Sequence, residues 1–278
     1  YDSSELISID SSDIDINNLV QRITPADGES GAITGGYLFG SIDLSSDGKT
    51  LAIGSTKLNS LMGQVFIYKE INDDWVLEAT LEASNKGEGD RFGHSVSLNE
   101  DGTLIAVGAN GEDSSVSGVN SNQIDNNNAI NSGAVYVFQK QNNSWQQQAY
   151  IKSSLPDGDT SGTTASLEVP LPTSLNGGIG GTGGDQFGHS VSISSDGNFL
   201  AVSAISDDSN SEGIFNSQQI DNNGISIGAV HIYKIVNGAW TFTNFIKPDW
   251  NGEGENAGDD PNDNNFYKYY GIAFGSVV

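Results

Sequence analysis

The sequence repeats itself, and this repetition constrains the fold more than any other feature. Phe-Gly opens a similar block at four positions, Phe39, Phe92, Phe187 and Phe274. The first three blocks continue into an alternating segment, an Asp-Gly pair, a short apolar run and a segment that leads to a Trp. Repetition on this scale indicates one supersecondary unit used several times, each copy burying its apolar faces against the next.

Each block predicts four short β-strands. In the second copy the strand segments are SVSL, TLIAVGA, GAVYVFQK and SWQQQAYIK. Val, Ile, Tyr, Phe and Trp dominate these segments, apolar and polar residues alternate, and Asn, Asp and Gly separate them. No segment has a helical period. The pattern therefore predicts an all-β fold, a β-propeller whose blades are four-stranded antiparallel sheets.

Unequal spacing of the Phe-Gly anchors indicates loop insertions between similar strands. The predicted complete blades span about residues 39–82, 92–152 and 187–246. Residues 19–24 and 271–278 predict parts of a further blade, and residues 1–18 predict an N-terminal leader or an added strand. Three blades do not close a ring, so we expect a segment of a longer propeller, or a chain that a neighbouring copy completes.

The long connections are predicted to lie together at one end of the sheets. In an antiparallel unit, the second-to-third connection and the connection to the next blade emerge at the same end. The short Asp-Gly and Asn-rich turns belong to the opposite end. The long connections are residues 83–91, 110–132, 153–186, 205–227 and 247–273. Because binding residues concentrate on loops carried by a rigid scaffold, this acidic, elaborated end is the candidate site.

Composition excludes several classes of partner. The chain has 36 Asp and Glu against 11 Lys and Arg, a formal charge of −25, which repels a nucleic-acid backbone. No apolar run approaches about 18 residues, so we expect no membrane insertion. The absence of Cys removes thiolate metal sites and Cys nucleophiles. Cations, basic proteins and uncharged glycans remain as partners.

The residues FGHSVSLNEDGTLIAVGANGEDSS, QIDNNNAINSGAVYVF and SWQQQAYIKSS resemble the FG-GAP repeats of bacterial secreted and surface proteins. These repeats are related to the propeller of integrin α subunits. The resemblance implies an extracellular β-propeller with a binding or adhesion role, often with calcium in its blade loops. The integrin-type calcium loop is degraded here, since an aliphatic residue replaces its last carboxylate at Leu51, Ile105 and Leu200.

Calcium is the expected cofactor, held by the longer inserts rather than by these turns. Calcium prefers six to eight oxygen ligands, and two inserts share carboxylates and amides that could converge when each loop folds back. The alternative is a polar loop ordered by its own Asx turns. Asp90 and Asp185 stand two residues before a Phe-Gly pair. For these two acids, the alternative to metal binding is capping of backbone N–H groups. The candidate metal ligands are Asp90, Asp113, Asp125, Asp185, Asp207, Asp208 and Asp221.

Other repeated residues predict structural roles. The Asp-Gly pairs at Asp47, Asp101 and Asp196 predict hairpin turns. His94 and His189 follow Phe-Gly in two different blades, so we expect structural side chains rather than ligands of one metal ion. Three Trp residues, Trp75, Trp145 and Trp240, are expected to pack between blades.

The sequence predicts a non-catalytic protein, because no activated Ser, Cys or His arrangement is evident. The expected function is an extracellular binding or adhesion module that uses acidic, calcium-binding loops to engage a protein, a glycan or copies of itself. We expect secretion by a bacterium to the cell surface or medium. The alternatives are a structural subunit of a surface filament or matrix, and a scaffold or accessory domain of a secreted carbohydrate-active enzyme.

Overall fold

A computed structural model describes residues 41–56, 60–120, 126–154, 156, 184–209, 211–217 and 228–247 of the 278-residue chain. These residues contain thirteen β-strands and no helix. The prediction of an all-β fold of antiparallel sheets is therefore confirmed. Within the described part of the chain, no helix has the length and apolar character needed to cross a bilayer. The predicted leader and the two partial-blade segments lie outside the described residues.

The strands form three antiparallel sheets, one for each repeat. Sheet 1 consists of β1 (Ser41–Leu44), β2 (Thr50–Ser55), β3 (Gln64–Ile71) and β4 (Asp74–Leu81), in that order. Sheet 2 consists of β5 (Ser95–Leu98), β6 (Leu104–Ala109), β7 (Ala134–Gln141) and β8 (Ser144–Ile151). Sheet 3 contains β9 (Phe187–Ile193), β10 (Phe199–Ala204), β11 (Gly213–Phe215), β12 (Ala229–Val236) and β13 (Ala239–Lys247).

Sheet 3 differs from the predicted four-stranded unit because it has a fifth strand. Its order is β11-β13-β12-β10-β9, so the insert between β10 and β12 supplies an additional strand, β11, at the outer edge. In sheet 2 the matching part of the insert makes a single antiparallel bridge, between Val119 and Ile151. Both inserts thus cover an edge strand whose backbone groups would otherwise be open to another chain.

The Asp-Gly pairs form the predicted hairpin turns. Gly48, Gly102 and Gly197 have φ values of 69°, 63° and 71°, a conformation that glycine adopts without strain. Each Asp carboxylate accepts a hydrogen bond from the backbone N–H two residues later, at 2.9 to 3.0 Å. This Asx arrangement explains why Asp precedes Gly in all three copies.

The three sheets pack face to face in chain order, with their first strands adjacent. Strand β5 contacts β1 and β2, and β9 contacts β5 and β6. One apolar core lies between sheets 1 and 2 and includes Ile67, Phe92 and Phe138; a second lies between sheets 2 and 3 and includes Val137 and Leu200. Strand β6 is buried along its whole length because both of its faces meet a neighbouring sheet.

Two of the repeated Trp residues pack between sheets, as predicted. Trp145 packs against the core shared by sheets 1 and 2, and its indole N–H donates to Glu78 of sheet 1 at 3.1 Å. Trp240 belongs to the core shared by sheets 2 and 3. Trp75 instead packs on a small cluster formed within sheet 1.

Candidate functional site

The described long connections meet at one end of the sheets, which we call the loop end. The N–H of Gly111, in the insert of sheet 2, donates to the carbonyl of Asp90 in the connection from sheet 1 at 3.2 Å. The N–H of Gln186 likewise donates to the carbonyl of Asn131 at 3.0 Å. At the opposite end, Asp-Gly turns of neighbouring sheets touch, since Glu100 N–H donates to the carbonyl of Ser195 at 3.0 Å.

A completely buried ion pair fixes the insert of sheet 2 at the loop end. Lys152 follows the last residue of β8, and its ammonium donates to the Glu112 carboxylate, three residues after β6. Both side chains are 0% exposed. The Lys152 ammonium also donates to Ser132 Oγ at 2.7 Å, which links the two ends of the insert. Burial lowers the pKa of Lys152, and the facing Glu112 carboxylate opposes that shift.

Hydrogen bonds also satisfy the other oxygen of this buried carboxylate. Tyr150 Oη donates to Glu112 Oε1 at 2.7 Å, and Asn85 Nδ2 donates to the same oxygen at 3.1 Å. Tyr136 Oη in turn donates to Asn85 Oδ1 at 2.8 Å. Burial and the nearby Glu112 charge raise the pKa of both tyrosines, so both phenols remain protonated donors. A buried charge pair is stable only when its polar atoms are satisfied in this way.

A second buried pair occupies the equivalent place in sheet 3. Lys247, the last residue of β13, donates to Asp207 Oδ1 at 2.5 Å and to the Asp207 carbonyl at 2.7 Å. Ser209 donates to the same carboxylate oxygen through its hydroxyl at 2.7 Å. Although burial acts to raise the pKa of Asp207, the Lys247 ammonium holds it below its usual value. The acid is therefore ionised at neutral pH.

His231 lies beside the second pair in an aromatic enclosure. Its ring makes edge-to-face contacts with Phe187 and Phe245, both at a centroid separation of 5.1 Å. The side chain is 1% exposed, and neither ring nitrogen has a hydrogen-bond partner among the described residues. Burial lowers the pKa of His231 to about 4, and the nearby Asp207 only partly opposes that shift. The imidazole is therefore neutral at neutral pH.

The two ion pairs were not predicted, although the sequence contains a signal for them. Each of these repeats has an acid three residues after the apolar β6 or β10 segment, at Glu112 and Asp207, and a Lys at the end of the last strand. The first repeat has a short connection and carries Glu82 at the Lys position. The Lys is present only in the two repeats that have long inserts. This correlation is the sequence signal for an ion pair that fixes the insert.

Asp90 and Asp113 bind backbone groups in the structure. Asp90 is 1% exposed, and its Oδ2 accepts from the N–H of Gly87 at 2.6 Å, as the capping interpretation predicts. Asp113 Oδ1 accepts from the N–H of Asn131 at 2.7 Å, which joins the beginning of the insert to its end. Asp185 is buried, and its carbonyl accepts from the N–H of Ser206 at 3.2 Å.

Two of the remaining candidate ligands have described positions. Asp207 and Asp208 are adjacent and buried at the start of the third insert, where Asp207 is bound by Lys247. Asp125 and Asp221 lie outside the described residues. Among the residues with described positions, no three His, Asp or Glu side chains are grouped as metal ligands usually are.

The structure brings His94 and His189 together, although they belong to different sheets. Their ring centroids are 4.8 Å apart. The expectation that histidines in different blades lie far from each other is therefore wrong. Ser41 directly follows Phe-Gly in the sequence, as His94 does, which suggests that the two are equivalent. The strand register instead matches Ser41 to Ser95, because Ser41 pairs with Gly54 and Ser95 pairs with Gly108. The first repeat therefore has one residue fewer between its Phe-Gly pair and β1 than the second repeat has between its Phe-Gly pair and β5.

Comparison with known proteins supports the repeat assignment. A family model described as "FG-GAP repeat" matches residues 75–138, which confirms the resemblance for this part of the chain. The matched segment runs from β4 to β7 and contains the whole insert of sheet 2. In this part, the chain is thus similar to an FG-GAP repeat. No curated protein sequence matches the chain.

Among solved structures, the chain is similar to a crystal structure of a protein from Lactobacillus plantarum. The identity is 13% and the TM-score is 0.34. The similarity covers 74% of this chain and 40% of the other, so the chain spans less than half the length of that protein.

Proposed function

We propose that the chain is a non-catalytic, extracellular binding or adhesion module built as a β-propeller segment. Three findings support this proposal: the FG-GAP repeat, the face-to-face order of the sheets, and the collection of the long connections at one end. The observation that carries it is the pair of buried ion pairs, which fix the bases of two long inserts on a rigid scaffold. Anchored loops of this kind present a preformed binding surface at low entropic cost.

The long connections at the loop end are rich in Asp and Glu. A formal charge of −25 favours a basic protein, a cation or an uncharged glycan over an anionic partner. We propose that calcium binds to the inserts through Asp113 and Asp125 in one repeat, and through Asp208 and Asp221 in the other. In this arrangement Lys247 already neutralises Asp207, so Asp207 serves as an anchor rather than as a ligand.

A binding screen with loop variants tests the proposed function. The purified chain is probed in calcium against a glycan array and a panel of basic and neutral extracellular proteins. A specific interaction should disappear when residues 115–130 are replaced by a short Gly-Ser linker, and should persist in the Asp101→Asn control at the opposite end. Binding that is indifferent to the insert, or cleavage of the bound glycan, would contradict the proposal.

Chelation tests the calcium component separately. Removal of calcium should lower Tm and expose residues 110–132 and 205–227 to proteases, because unneutralised carboxylates repel one another. An unchanged melting curve would exclude calcium without excluding the binding role.

A second candidate function, self-assembly into a filament or matrix, is favoured by one exposed face. Ile42 and Leu44 of β1 are 71% and 51% exposed, whereas their equivalents in β5, Val96 and Leu98, are buried against sheet 1. A second copy that covers this face would bury the same apolar pattern. Analytical ultracentrifugation tests this candidate: Ile42→Lys should dissociate the assembly, and a monomeric wild-type chain excludes it.

A further inference from the structure

The histidines of the repeated Phe-Gly-His-Ser segments meet where sheets 2 and 3 join. His94 immediately precedes β5, and His189 lies near the start of β9. Their rings are 4.8 Å apart between centroids and inclined by 60°. Because each sheet contributes one histidine from the same repeat position, the pair exists only when the two sheets pack together.

This separation fits two imidazoles that share one metal ion. An imidazole nitrogen lies about 2.0–2.1 Å from zinc, and two such rings at a near-tetrahedral angle have centroids about 5 Å apart. The observed separation is therefore close to the one that ligation requires. Imidazole is a preferred ligand of zinc, copper and nickel, whereas calcium prefers oxygen.

Within the described structure, the surroundings of the two imidazoles are compatible with metal binding. Among the residues that the structure describes, neither imidazole takes part in a hydrogen bond, and each is only partly buried. Burial lowers the pKa of His94 to about 4 and also lowers that of His189, so both rings are neutral at physiological pH. Neutral imidazole is the form that ligates metal ions.

We propose that His94 and His189 together bind one divalent transition-metal ion, such as Zn²⁺, Ni²⁺ or Cu²⁺, across the junction of sheets 2 and 3. Water completes the coordination, which makes the site open and its affinity modest compared with a four-ligand structural site. Arg91 is the charged group whose field reaches His94, and it opposes the bound cation. The ion would link neighbouring repeats without using the acidic inserts.

Calorimetric titration with Zn²⁺ in excess calcium tests the proposal on protein that carries no polyhistidine tag. We expect one ion per chain. His94→Phe and His189→Phe preserve an aromatic ring contact but remove the ligands, so each should weaken binding at least about tenfold, since even outer-shell changes cost a metal site that much. Arg91→Gln should strengthen binding, because it removes the opposing charge.

The third histidine of the chain supplies the matched control. His231 is 1% exposed, so His231→Phe should leave Zn²⁺ affinity unchanged. Binding should also weaken as the pH falls toward 4, because His94, whose pKa is about 4, becomes protonated. Equal Zn²⁺ binding by the wild type and the His94→Phe/His189→Phe double variant would overturn the proposal.

A spectroscopic readout makes the test independent of the variants. Electron paramagnetic resonance of the wild-type chain with one equivalent of Cu²⁺ should show coupling to two imidazole nitrogens. Coupling to one nitrogen or none, or no saturable binding of any of the three ions, would mean that the histidines only pack against each other. Neither result bears on the calcium or adhesion proposals.

Discussion

The inserts of sheets 2 and 3 share a backbone plan but differ in the side chains around it. Each insert begins with an acid that pairs with a buried Lys, and each adds backbone pairing to the outer strand. In sheet 2 the pair is surrounded by Tyr136 and Tyr150, whose hydroxyls satisfy a polar network. In sheet 3 the matching residues are His231 and Phe245, which form an aromatic enclosure. The ion pair holds the loop in both sheets, whereas its neighbours are two phenols in sheet 2 and an imidazole and a phenyl ring in sheet 3.

Removal of the buried lysine from sheet 2 should have the largest effect. Lys152→Met leaves the Glu112 carboxylate buried and uncompensated, so we expect the free energy of unfolding to fall by about 3–5 kcal/mol in urea denaturation. Lys86→Met is the control, because its pair with Glu82 is exposed and worth about 0.5 kcal/mol at most.

A double variant keeps this test informative if Lys152→Met does not fold. Lys152→Met/Glu112→Leu removes both charges, so it should be more stable than the single variant. A single variant that loses less than about 1 kcal/mol would show that the pair does not anchor the insert.

Substitution by Phe at the matched positions 136 and 231 should change the free energy of unfolding in opposite directions. Tyr136→Phe removes the donor to buried Asn85 and should destabilise the fold by about 1–2 kcal/mol. His231→Phe removes two ring nitrogens that lack hydrogen-bond partners in the described structure, and should stabilise it by about 1 kcal/mol. Chemical denaturation of both variants measures the two changes in stability. If both variants are stabilised, or both destabilised, the proposed difference between the two environments is wrong.

The pH dependence of stability should originate in part from sheet 3. Because the pKa of His231 is about 4 in the fold and near 6.5 when unfolded, the unfolded chain binds more protons between these values. Stability is therefore expected to fall as the pH decreases from about 6.5 to 4, by roughly 3 kcal/mol in total.

The pKa of His94 is also about 4 in the fold, so His94 contributes to the same pH dependence. The experiment therefore needs a variant of each histidine. Unfolding at pH 7 and pH 5 should show a smaller pH effect in His231→Phe and in His94→Phe than in the wild type. Tyr136→Phe, which changes no group that titrates near neutral pH, is the control. An undiminished pH effect in both histidine variants would contradict this assignment.

The smallest effect is expected at the end opposite the inserts. Asp101→Ala removes the side-chain hydrogen bonds to the Thr103 N–H and hydroxyl in an exposed turn, and should reduce stability by about 0.5 kcal/mol. The insert of sheet 2 should remain resistant to proteases in this variant. Cleavage of that insert in Asp101→Ala would show that the two ends of the sheet are coupled.

The strands and turns could be predicted from the sequence because their signals are local. Alternation along a strand sets which side chains share a face, and Asp-Gly provides both the Asx hydrogen bond and the positive φ that a hairpin needs. The predicted second copy therefore matches β5 to β8 within two residues at each boundary. The fifth strand β11 was not predicted, since three residues of an insert carry too little pattern to indicate a strand.

The sequence by itself determined the repeated four-stranded units, their turns and the end at which long connections gather, because these follow from short-range alternation and antiparallel geometry. Only the tertiary structure decided which polar residues meet. Lys152 and Glu112 are 40 residues apart, and His94 and His189 lie in different sheets, so no local pattern predicts their contact. Burial then sets the charge states, because desolvation depends on all the neighbours that packing brings together.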